Sequence, residues 1–225
     1  MTDSEYVYEI IDNEIDARYC AKLLAEEFSA HNPLTIFDRT TPACFFDECS
    51  WPLTELLFPE RLSFLVRHRS TMEIIGAVVA GDVYSQHETE SVCDTSHSLH
   101  SIPLDDLLEE MYNLFVTRDF GQELKPNLVL YIEMCAVRAE YAGKGIANQL
   151  RKAVCDYARD QRGFQYAFVQ VTNDATRHIF LNKMNGKEVT IIDPTTWVWK
   201  QENNEPICPY KDYKGGSIPN ILVKL

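Results

Sequence analysis

Alternating and helically spaced apolar positions divide the chain into a series of strands and helices. Runs rich in β-forming residues predict strands, and apolar residues three or four positions apart predict helices. The predicted strands are Tyr6–Ile11, Leu62–His68, Glu73–Tyr84, Asn127–Val137, Phe164–Val171, Glu188–Ile192 and Ser217–Leu225. The predicted helices are Ile15–Phe28, a short helix at Leu53–Leu62, Pro103–Phe115, a helix from Ile146 through Tyr157 or beyond, and Asp174–Lys183. This mixture predicts an α/β protein.

Polar and proline-containing segments predict the breaks between these elements. The first helix ends at His31–Asn32–Pro33, because the residue before a proline avoids the α-helical region. The two strands around the polar turn 69–71 predict a hairpin. Ser85–Ser101 is polar and acidic without periodicity, which predicts a surface loop, and Asp193–Gly216 is predicted to be irregular.

A glycine-rich turn, Gly143–Ala147, separates the apolar strand Asn127–Val137 from the next helix. Such a turn presents backbone N–H groups and the positive end of a helix dipole, an arrangement that suits a phosphate or pyrophosphate. The turn lacks the P-loop pattern, since Ile146 occupies the Ser/Thr place, and it lacks G-x-G-x-x-G, since Asn148 occupies the third glycine place. Nucleoside triphosphates and dinucleotides are therefore disfavoured as ligands.

Glu133 is the only acidic residue within Asn127–Val137. Side chains alternate along a strand, so we expect Tyr131, Glu133, Cys135 and Val137 to share one face. A carboxylate in this position is a candidate proton acceptor. The alternative is that Glu133 is a buried partner in a structural ion pair.

Composition and charge limit the choice of partners. The chain has 225 residues, 45% of them apolar, and we expect a single domain over residues 1–225. With 21 basic and 34 acidic residues the net charge is −13, which opposes binding to nucleic acid or to an anionic membrane. A cationic small molecule or a basic peptide suits this charge better.

The cysteines and the apolar runs predict a cellular setting. Seven cysteines without a C-x-x-C pair predict a reduced protein, which we expect in the cytoplasm. No apolar run reaches the length of a membrane span, and no His and Cys residues have metal-site spacing, so we expect neither a membrane span nor a metal.

The stretch 135–150, CAVRAEYAGKGIANQL, resembles the acetyl-CoA motif [RQ]-x-x-G-x-[GA] of the GCN5-related N-acetyltransferase (GNAT) superfamily. Gly145 and Ala147 match its last two positions, and Ala142 stands where Arg or Gln is usual. The element order also fits that fold, a mixed and mostly antiparallel sheet, flanked by helices and splayed near Ala136 to admit the acyl-pantetheine arm. The resemblance implies an acetyl-CoA site formed by Cys135, Ala136, Val137, Ala142, Gly143, Lys144, Gly145, Ile146, Ala147 and Asn173.

FSAHNPLTIF, residues 28–37, is similar to the corresponding segment of insect arylalkylamine (dopamine-type) N-acetyltransferases. Asn32 stands where these relatives have a catalytic Glu. The insect relatives have two hydroxyl residues on the helix after the fifth strand, and these correspond to Thr172 and Thr176. The tyrosine that many superfamily members use as an acid toward the leaving thiolate falls near Phe180. Vertebrate relatives have catalytic histidines at the places of Tyr131 and Glu133. The resemblance thus implies a catalytic set of Glu133, Tyr131, Thr172 and Thr176.

We therefore expect acetyl transfer from acetyl-CoA to a small primary amine of arylalkylamine type, by direct attack in a ternary complex without a metal. Asn32 and Phe37 are the expected substrate contacts, and Phe45, Phe46, Trp197 and Trp199 are further candidates for an aryl pocket, although such residues more often serve packing. The protein is expected to be a monomer or homodimer. The alternatives are a polyamine or protein acetyltransferase, and an acyl-CoA-binding protein without catalysis.

Overall fold

Seven strands form one sheet within residues 5–92, 103–200 and 205–225, which the computed structural model describes. The strands are β1 (Tyr6–Ile10), β2 (Phe64–His68), β3 (Ile74–Asp82), β4 (Val129–Val137), β5 (Tyr166–Gln170), β6 (Lys187–Ile192) and β7 (Ile218–Lys224). Their order is β1-β2-β3-β4-β5-β7-β6, and every neighbouring pair is antiparallel except β4 and β5. The predicted mixed, mostly antiparallel fold is confirmed.

Helices cover both faces of this sheet. They are α1 (Glu14–His31), α2 (Pro33–Phe37), α3 (Pro42–Phe45), α4 (Trp51–Leu57), α5 (Val83–Val92), α6 (Pro103–Leu114), α7 (Ile146–Arg162) and α8 (Asp174–His178). One apolar cluster packs α7 against the sheet, and a second packs α1 and α4 against the other face. Helix α7 is also the crossover that two parallel neighbouring strands require, since it connects β4 to β5.

Asn32 separates α1 from α2. Its backbone is extended, with φ −82° and ψ 124°, as expected before Pro33. Its Oδ1 accepts hydrogen bonds from the N–H groups of Leu34 and Thr35 at 3.0 and 3.3 Å, so it serves as the N-cap of α2. The predicted break at His31–Asn32–Pro33 is confirmed.

A β-bulge interrupts the pairing of β4 with β3 at Glu133. Val79 lies opposite Met134 and the next residue, Ala80, lies opposite Ile132, so Glu133 has no counterpart on β3. The extra residue changes which side chains share a face, because alternation restarts after it. Tyr131 packs in the cluster beside α6, whereas Cys135 packs on the α7 face. The prediction that Tyr131, Glu133, Cys135 and Val137 share one face is therefore wrong.

The sheet opens between β4 and β5. The two strands pair only over Val129–Tyr131 and Tyr166–Phe168, and they separate from Ile132 onward. The predicted splay is present, but it starts several residues before Ala136. A bulge bends the strand that carries it, and Glu133 lies where the separation begins.

The predicted loop Ser85–Ser101 is wrong over its first part, which forms α5. Asp82, the last residue of β3, accepts a hydrogen bond from the N–H of Tyr84 at 3.1 Å, as a residue preceding a helix commonly does. The rest of that prediction lies outside the described residues. The segment 193–216 is largely irregular where it is described, with one isolated bridge between Trp199 and Ile207.

Candidate active site

A cavity of about 1300 Å³ occupies the opening between β4 and β5. Its walls come from the separated part of β4, the end of β5, α8, the C-terminal half of α1, and α6. Ten of the predicted site residues line it, namely Asn32, Tyr131, Glu133, Cys135, Ala136, Val137, Ala142, Thr172, Asn173 and Thr176. The sheet opening thus brings together residues that are up to 144 positions apart, from Asn32 to Thr176.

The glycine-rich turn follows Ala142 directly and ends at the first turn of α7. Gly143 and Gly145 have φ values of 76° and 77°, a conformation that other residues rarely adopt. No atom lies within 4 Å of a Cβ built on either glycine, so this side of the turn is open. No side chain caps α7, so the N–H groups of its first turn have no side-chain partner, as at the helix N-termini that bind anions. The cavity lining reaches Ala142 and includes none of Gly143–Ala147.

Two other predicted residues of this turn have side chains engaged elsewhere. Ile146 is buried in the core beneath α7. The Nζ of Lys144 lies 5.0 Å from the centre of the Tyr141 ring, a cation–π distance. The turn therefore offers its ligand mainly backbone groups, as does Ala147 at the start of the helix.

The free edge of β4 forms one long wall of the cavity. Since β5 pairs with β4 only as far as Tyr131, backbone groups of Ile132–Val137 on that side face the cavity. A strand edge of this kind pairs with the amide groups of an extended ligand. Cys135, Ala136 and Val137 are thus placed along the path from the glycine-rich turn to Glu133.

Tyr131 is held by a hydrogen-bond chain on the α6 side. Its hydroxyl donates to Oε1 of Gln170 at 2.6 Å, and Nε2 of Gln170 donates to the carbonyl oxygen of Leu108 at 2.7 Å. Its ring stacks on Tyr112 with centroids 5.7 Å apart. These contacts give Tyr131 a fixed position, with its proton already donated within the protein.

Thr172 precedes α8 and Thr176 lies in its first turn, and the side chain of each is hydrogen-bonded to a residue of another element. Thr172 accepts a hydrogen bond from Nδ2 of Asn32 at 2.7 Å. Thr176 accepts one from Nη2 of Arg151 at 3.2 Å. Asn173 caps α8 by accepting from the N–H groups of Ala175 and Thr176 at 2.9 and 3.4 Å. Asn32 therefore joins α1, α2 and α8 at the cavity rim.

Carboxylates dominate the charged lining of the cavity. They are Glu27, Glu48, Glu60, Asp105, Glu109 and Glu133. Burial and the neighbouring carboxylates raise the pKa of Asp105 to about 6. Burial also raises the pKa of Glu27 and Glu60. The part of the cavity that these carboxylates line is therefore suited to a cationic group.

Glu27 lies on the inward face of α1. Its side chain is only 12% exposed and lines the cavity. Its spacing of three and four residues from Leu24 and Leu23 is a signal for the inward face. Glu26 instead pairs with Arg138 at 2.5 Å.

The cavity thiols are poor nucleophiles. Burial raises the pKa of Cys135, and it raises the pKa of Cys49 to about 12, with Asp105 and Glu133 adding to the effect. Since the thiolate is the reactive form, neither side chain is prepared for covalent catalysis.

Most of the proposed aromatic contacts lie elsewhere. Phe37 packs on Tyr210 and Tyr213, with centroids 5.7 Å apart in each case, and does not line the cavity. Phe46 stacks on Trp51, and the indole N–H groups of Trp197 and Trp199 bond to carboxylates on α6. Of the predicted aryl set only Phe45 reaches the cavity, joined there by Phe28 and Tyr112.

In the described part of the chain, no three His, Cys, Asp or Glu side chains are grouped so as to hold a metal ion. None of the described helices combines the length and the apolar character needed to cross a membrane.

Comparisons with known proteins agree with this geometry. The C-terminal condensation domain of Ebony, in complex with β-alanyl-dopamine, is similar in structure with a TM-score of 0.75 and 15% identity over 97% of this chain and 99% of that domain. Arylalkylamine N-acetyltransferase 2 from Aedes aegypti gives a TM-score of 0.68 and 17% identity, covering 99% of each chain. The Drosophila melanogaster polyamine N-acetyltransferase, which forms N-acetylagmatine, gives 0.64 and 16%, over 98% of this chain and 100% of that one.

At these identities the solved structures establish a shared fold. No curated protein matches the sequence. Residues 30–186, well over half of the chain, match the model of the acetyltransferase (GNAT) family. The matched range contains the glycine-rich turn, the bulged strand and both threonines, and with it the chain belongs to the GNAT family of N-acetyltransferases.

Proposed function

We propose that the protein transfers an acetyl group from acetyl-CoA to a small primary amine by direct attack in a ternary complex. The observation that carries this proposal is the continuous cavity from the region beside the glycine-rich turn, along the free edge of β4, to the carboxylate of Glu133. One end suits a pyrophosphate, the middle suits an extended amide-containing arm, and the other end suits an amine.

The residues present fit acetyl-CoA, which would supply the acetyl thioester. The N–H groups of Gly143–Ala147 would hold the pyrophosphate, and the backbone of Cys135–Val137 would pair with the pantetheine arm. Backbone N–H groups of β4 that face the cavity are also positioned to stabilise negative charge on the carbonyl oxygen. Holding both reactants in one cavity lowers the barrier by removing the cost of bringing them together.

Glu133 is proposed as the group that accepts the proton of the amine, directly or through a water molecule. A primary amine of ordinary basicity is protonated at neutral pH, with a pKa near ~10 as for lysine, and must lose a proton before it attacks. Asn32 carries no basic group at the position of the insect carboxylate. Glu27 is the second carboxylate to test, because it lines the same cavity and burial raises its pKa.

The amine class is proposed to be arylalkylamine, with Phe28, Phe45 and Tyr112 as the apolar lining. The acidic lining favours a second candidate, an amine with an additional positive charge such as agmatine or a polyamine. The structures similar to this chain include an arylalkylamine N-acetyltransferase and a polyamine N-acetyltransferase. The cytoplasmic location, the single domain over residues 1–225 and the oligomeric state stay predictions.

Release of free thiol from acetyl-CoA tests the proposal. The amine panel contains tryptamine, tyramine, dopamine and serotonin, then agmatine and spermidine, and finally a peptide and an aminoglycoside. We expect turnover with the small amines. Turnover only with the peptide or the aminoglycoside contradicts the small-amine assignment, and CoA binding without turnover on any amine supports the non-catalytic alternative.

A further inference from the structure

Arg151 is a buried cation whose charge the described residues do not compensate. It lies on α7, is 4% exposed and lines the cavity. Its Nη1 donates to the carbonyl oxygen of Ala147 and its Nη2 to the hydroxyl of Thr176, both at 3.2 Å. Its Nε is buried without a hydrogen-bond partner, and no described carboxylate forms an ion pair with it.

Such an arrangement is unfavourable in the free protein. A guanidinium group stays protonated in proteins, and burying a charge is costly unless an opposite charge accompanies it. The two oxygen atoms that Arg151 contacts are neutral. The free N–H of Nε and the missing counter-charge therefore indicate an anionic group of a ligand.

Acetyl-CoA offers two kinds of anion, its phosphates and the thiolate that leaves when the acetyl group is transferred. The phosphates are served by the N–H groups at the start of α7, and Arg151 is six residues beyond Gly145, about 9 Å farther along the helix axis. Its guanidinium instead contacts α8, through Thr176, and lies 5.6 Å from the centre of the Phe180 ring. Its charge also acts on the thiol of Cys135, a residue of the β4 edge. Arg151 thus faces the interior of the cleft.

Phe180 lines the cavity next to Arg151. It is fully buried beside Arg151 and has no proton to give to a leaving sulfur. We propose that Arg151 is the counter-charge for the CoA thiolate, through its Nε–H group and through the hydroxyl of Thr176 that it polarises. This inference rests on the proposed function and names a residue that acts at the leaving group.

Acetyl transfer forms one bond to the acetyl carbon and breaks another. The amine nitrogen forms a bond to the acetyl carbon, and the carbon–sulfur bond breaks with its electron pair going to sulfur. Two protons leave the nitrogen. The one that the ammonium loses before attack passes through Glu133 or its water molecule to solvent, and the one released after the new bond forms is then accepted by Glu133. The sulfur remains as a thiolate beside Arg151 until water protonates it.

Calorimetry of CoA and of desulfo-CoA, which lacks the sulfur atom, tests the proposal without turnover. We expect the bound thiol of CoA to have its pKa lowered by at least about one unit, as an adjacent cation does for an ionisable acid, which is about tenfold in affinity per unit. CoA should therefore gain at least about tenfold over desulfo-CoA as the pH rises through the thiol range. The thiols that Arg151 influences do not interfere, because burial raises the pKa of Cys135 and raises that of Cys155 to about 12.

Substitutions of Arg151 test whether this residue causes the gain in affinity for CoA. Arg151→Met should abolish the gain and leave the affinity for desulfo-CoA unchanged, whereas Arg151→Lys should retain part of the gain. Arg159→Met is the matched control, because Arg159 lies on the same helix with a side chain 42% exposed and paired with Asp156 and Asp160. It should behave like the wild type.

The outcomes separate this inference from the proposed function. If the wild-type protein acetylates amines but binds CoA and desulfo-CoA with the same pH dependence, the role of Arg151 is wrong and the function stands. Equal loss of affinity for both ligands in Arg151→Met would assign the guanidinium to the phosphates. If the wild-type protein binds neither ligand, both proposals fail. Should Arg151→Met not fold, the wild-type comparison and Thr176→Val, which should weaken the gain, still decide.

Discussion

The Glu133 carboxylate owes its place in the cavity to the backbone around it. The side chain is half-buried on a strand whose other residues from Val129 to Met134 are buried. It also lies close enough to Cys49 to raise the pKa of that thiol. The carboxylate therefore lies in the cavity wall among buried residues, where a proton acceptor is proposed.

Replacing Glu133 with Gln keeps the shape of the side chain and removes its basicity. We expect kcat near neutral pH to fall by about 10²–10³, the usual range for loss of a general base. The defect should shrink at high pH, where free amine becomes abundant. Steady-state rates of thiol release across pH measure both effects.

Glu27→Gln is the matched comparison for this variant. If Glu133 is the base, Glu27→Gln should lower kcat much less and keep the wild-type pH profile. The reverse result, with an unaltered profile in Glu133→Gln, would transfer the role of base to Glu27.

Asn32 contributes to stability through three hydrogen bonds. Asn32→Ala removes the cap of α2 and the bond to Thr172, and should lower the free energy of unfolding by about 1–2 kcal/mol. Asn32→Asp keeps the cap acceptor and should cost less than half of that. Urea unfolding of both variants and of Thr172→Val separates the contribution of the cap from that of the bond to Thr172. Equal decreases in the free energy of unfolding of Asn32→Ala and Asn32→Asp would show that the cap contributes little.

Several cavity residues could be selected from the sequence and others could not. Glu133 stands out as a charge within an apolar strand, and Asn32 precedes a proline. Arg151 gives no such signal, because α7 carries other basic residues and only the packing shows that this one is buried. Phe37 is predicted to contact the substrate because segment 28–37 is similar to that of the insect enzymes. Its ring instead packs on Tyr210 and Tyr213.

Helix α7 has a left-handed glycine at each end, which provides a controlled test of the pyrophosphate site. Gly145 and Gly163 have φ values of 77° and 82°, and both have open space where a Cβ would lie. Gly145→Glu and Gly163→Glu therefore impose a similar backbone cost. Only Gly145→Glu places a carboxylate at the helix N-terminus, and we expect it to weaken CoA binding by well over tenfold, which is more than about 1.4 kcal/mol.

Calorimetric titration with CoA distinguishes the two variants. Gly163→Glu should bind CoA like the wild type. Unchanged binding by a folded Gly145→Glu variant would exclude the turn as the pyrophosphate site.

Helix α6 brings Asp105 to the cavity, and the charge of this residue should control the preference among amines. Its pKa of about 6 means that the carboxyl group is ionised above that pH and neutral below it. For a dicationic amine such as agmatine, KM should therefore rise as the pH falls below about 6. Asp105→Asn should raise that KM several-fold at neutral pH and remove this part of the pH dependence, with little effect on tyramine. Equal increases in KM for both amines would show that Asp105 attracts any cationic amine and does not discriminate between them.

The elements themselves were largely predictable, because strands such as β3 and β4 are long and apolar and α7 has a clear stripe. The sequence does not predict α5, since 85–92 is mostly polar and lacks an apolar stripe. Its clearest signal is Asp82, a residue type that commonly precedes a helix. The start of the sheet opening was misplaced because a bulge leaves no mark in the sequence. It depends on how β3 and β4 align, which is a property of two distant segments.

At the scale of the whole molecule, the open sheet is the condition for the cavity. Helices on both faces keep the seven strands together, whereas β4 and β5 are held by only three residue pairs. The parallel pair is therefore the place where the sheet can admit a ligand without losing its outer strands. The net charge of −13 gives the molecule as a whole a field that attracts cations.

The bulge at Glu133 makes this opening depend on a single inserted residue. Without it the strand would be regular, and Tyr131, Met134 and Ala136 would still lie on one face, with Ile132, Cys135 and Val137 on the other. Deletion of Glu133 should therefore yield a folded protein, yet one in which a straighter β4 follows β5 and closes the cleft. CoA binding should be lost in this deletion and kept in Glu133→Gln, so that at this position the loss of one codon would remove the binding site as well as the base.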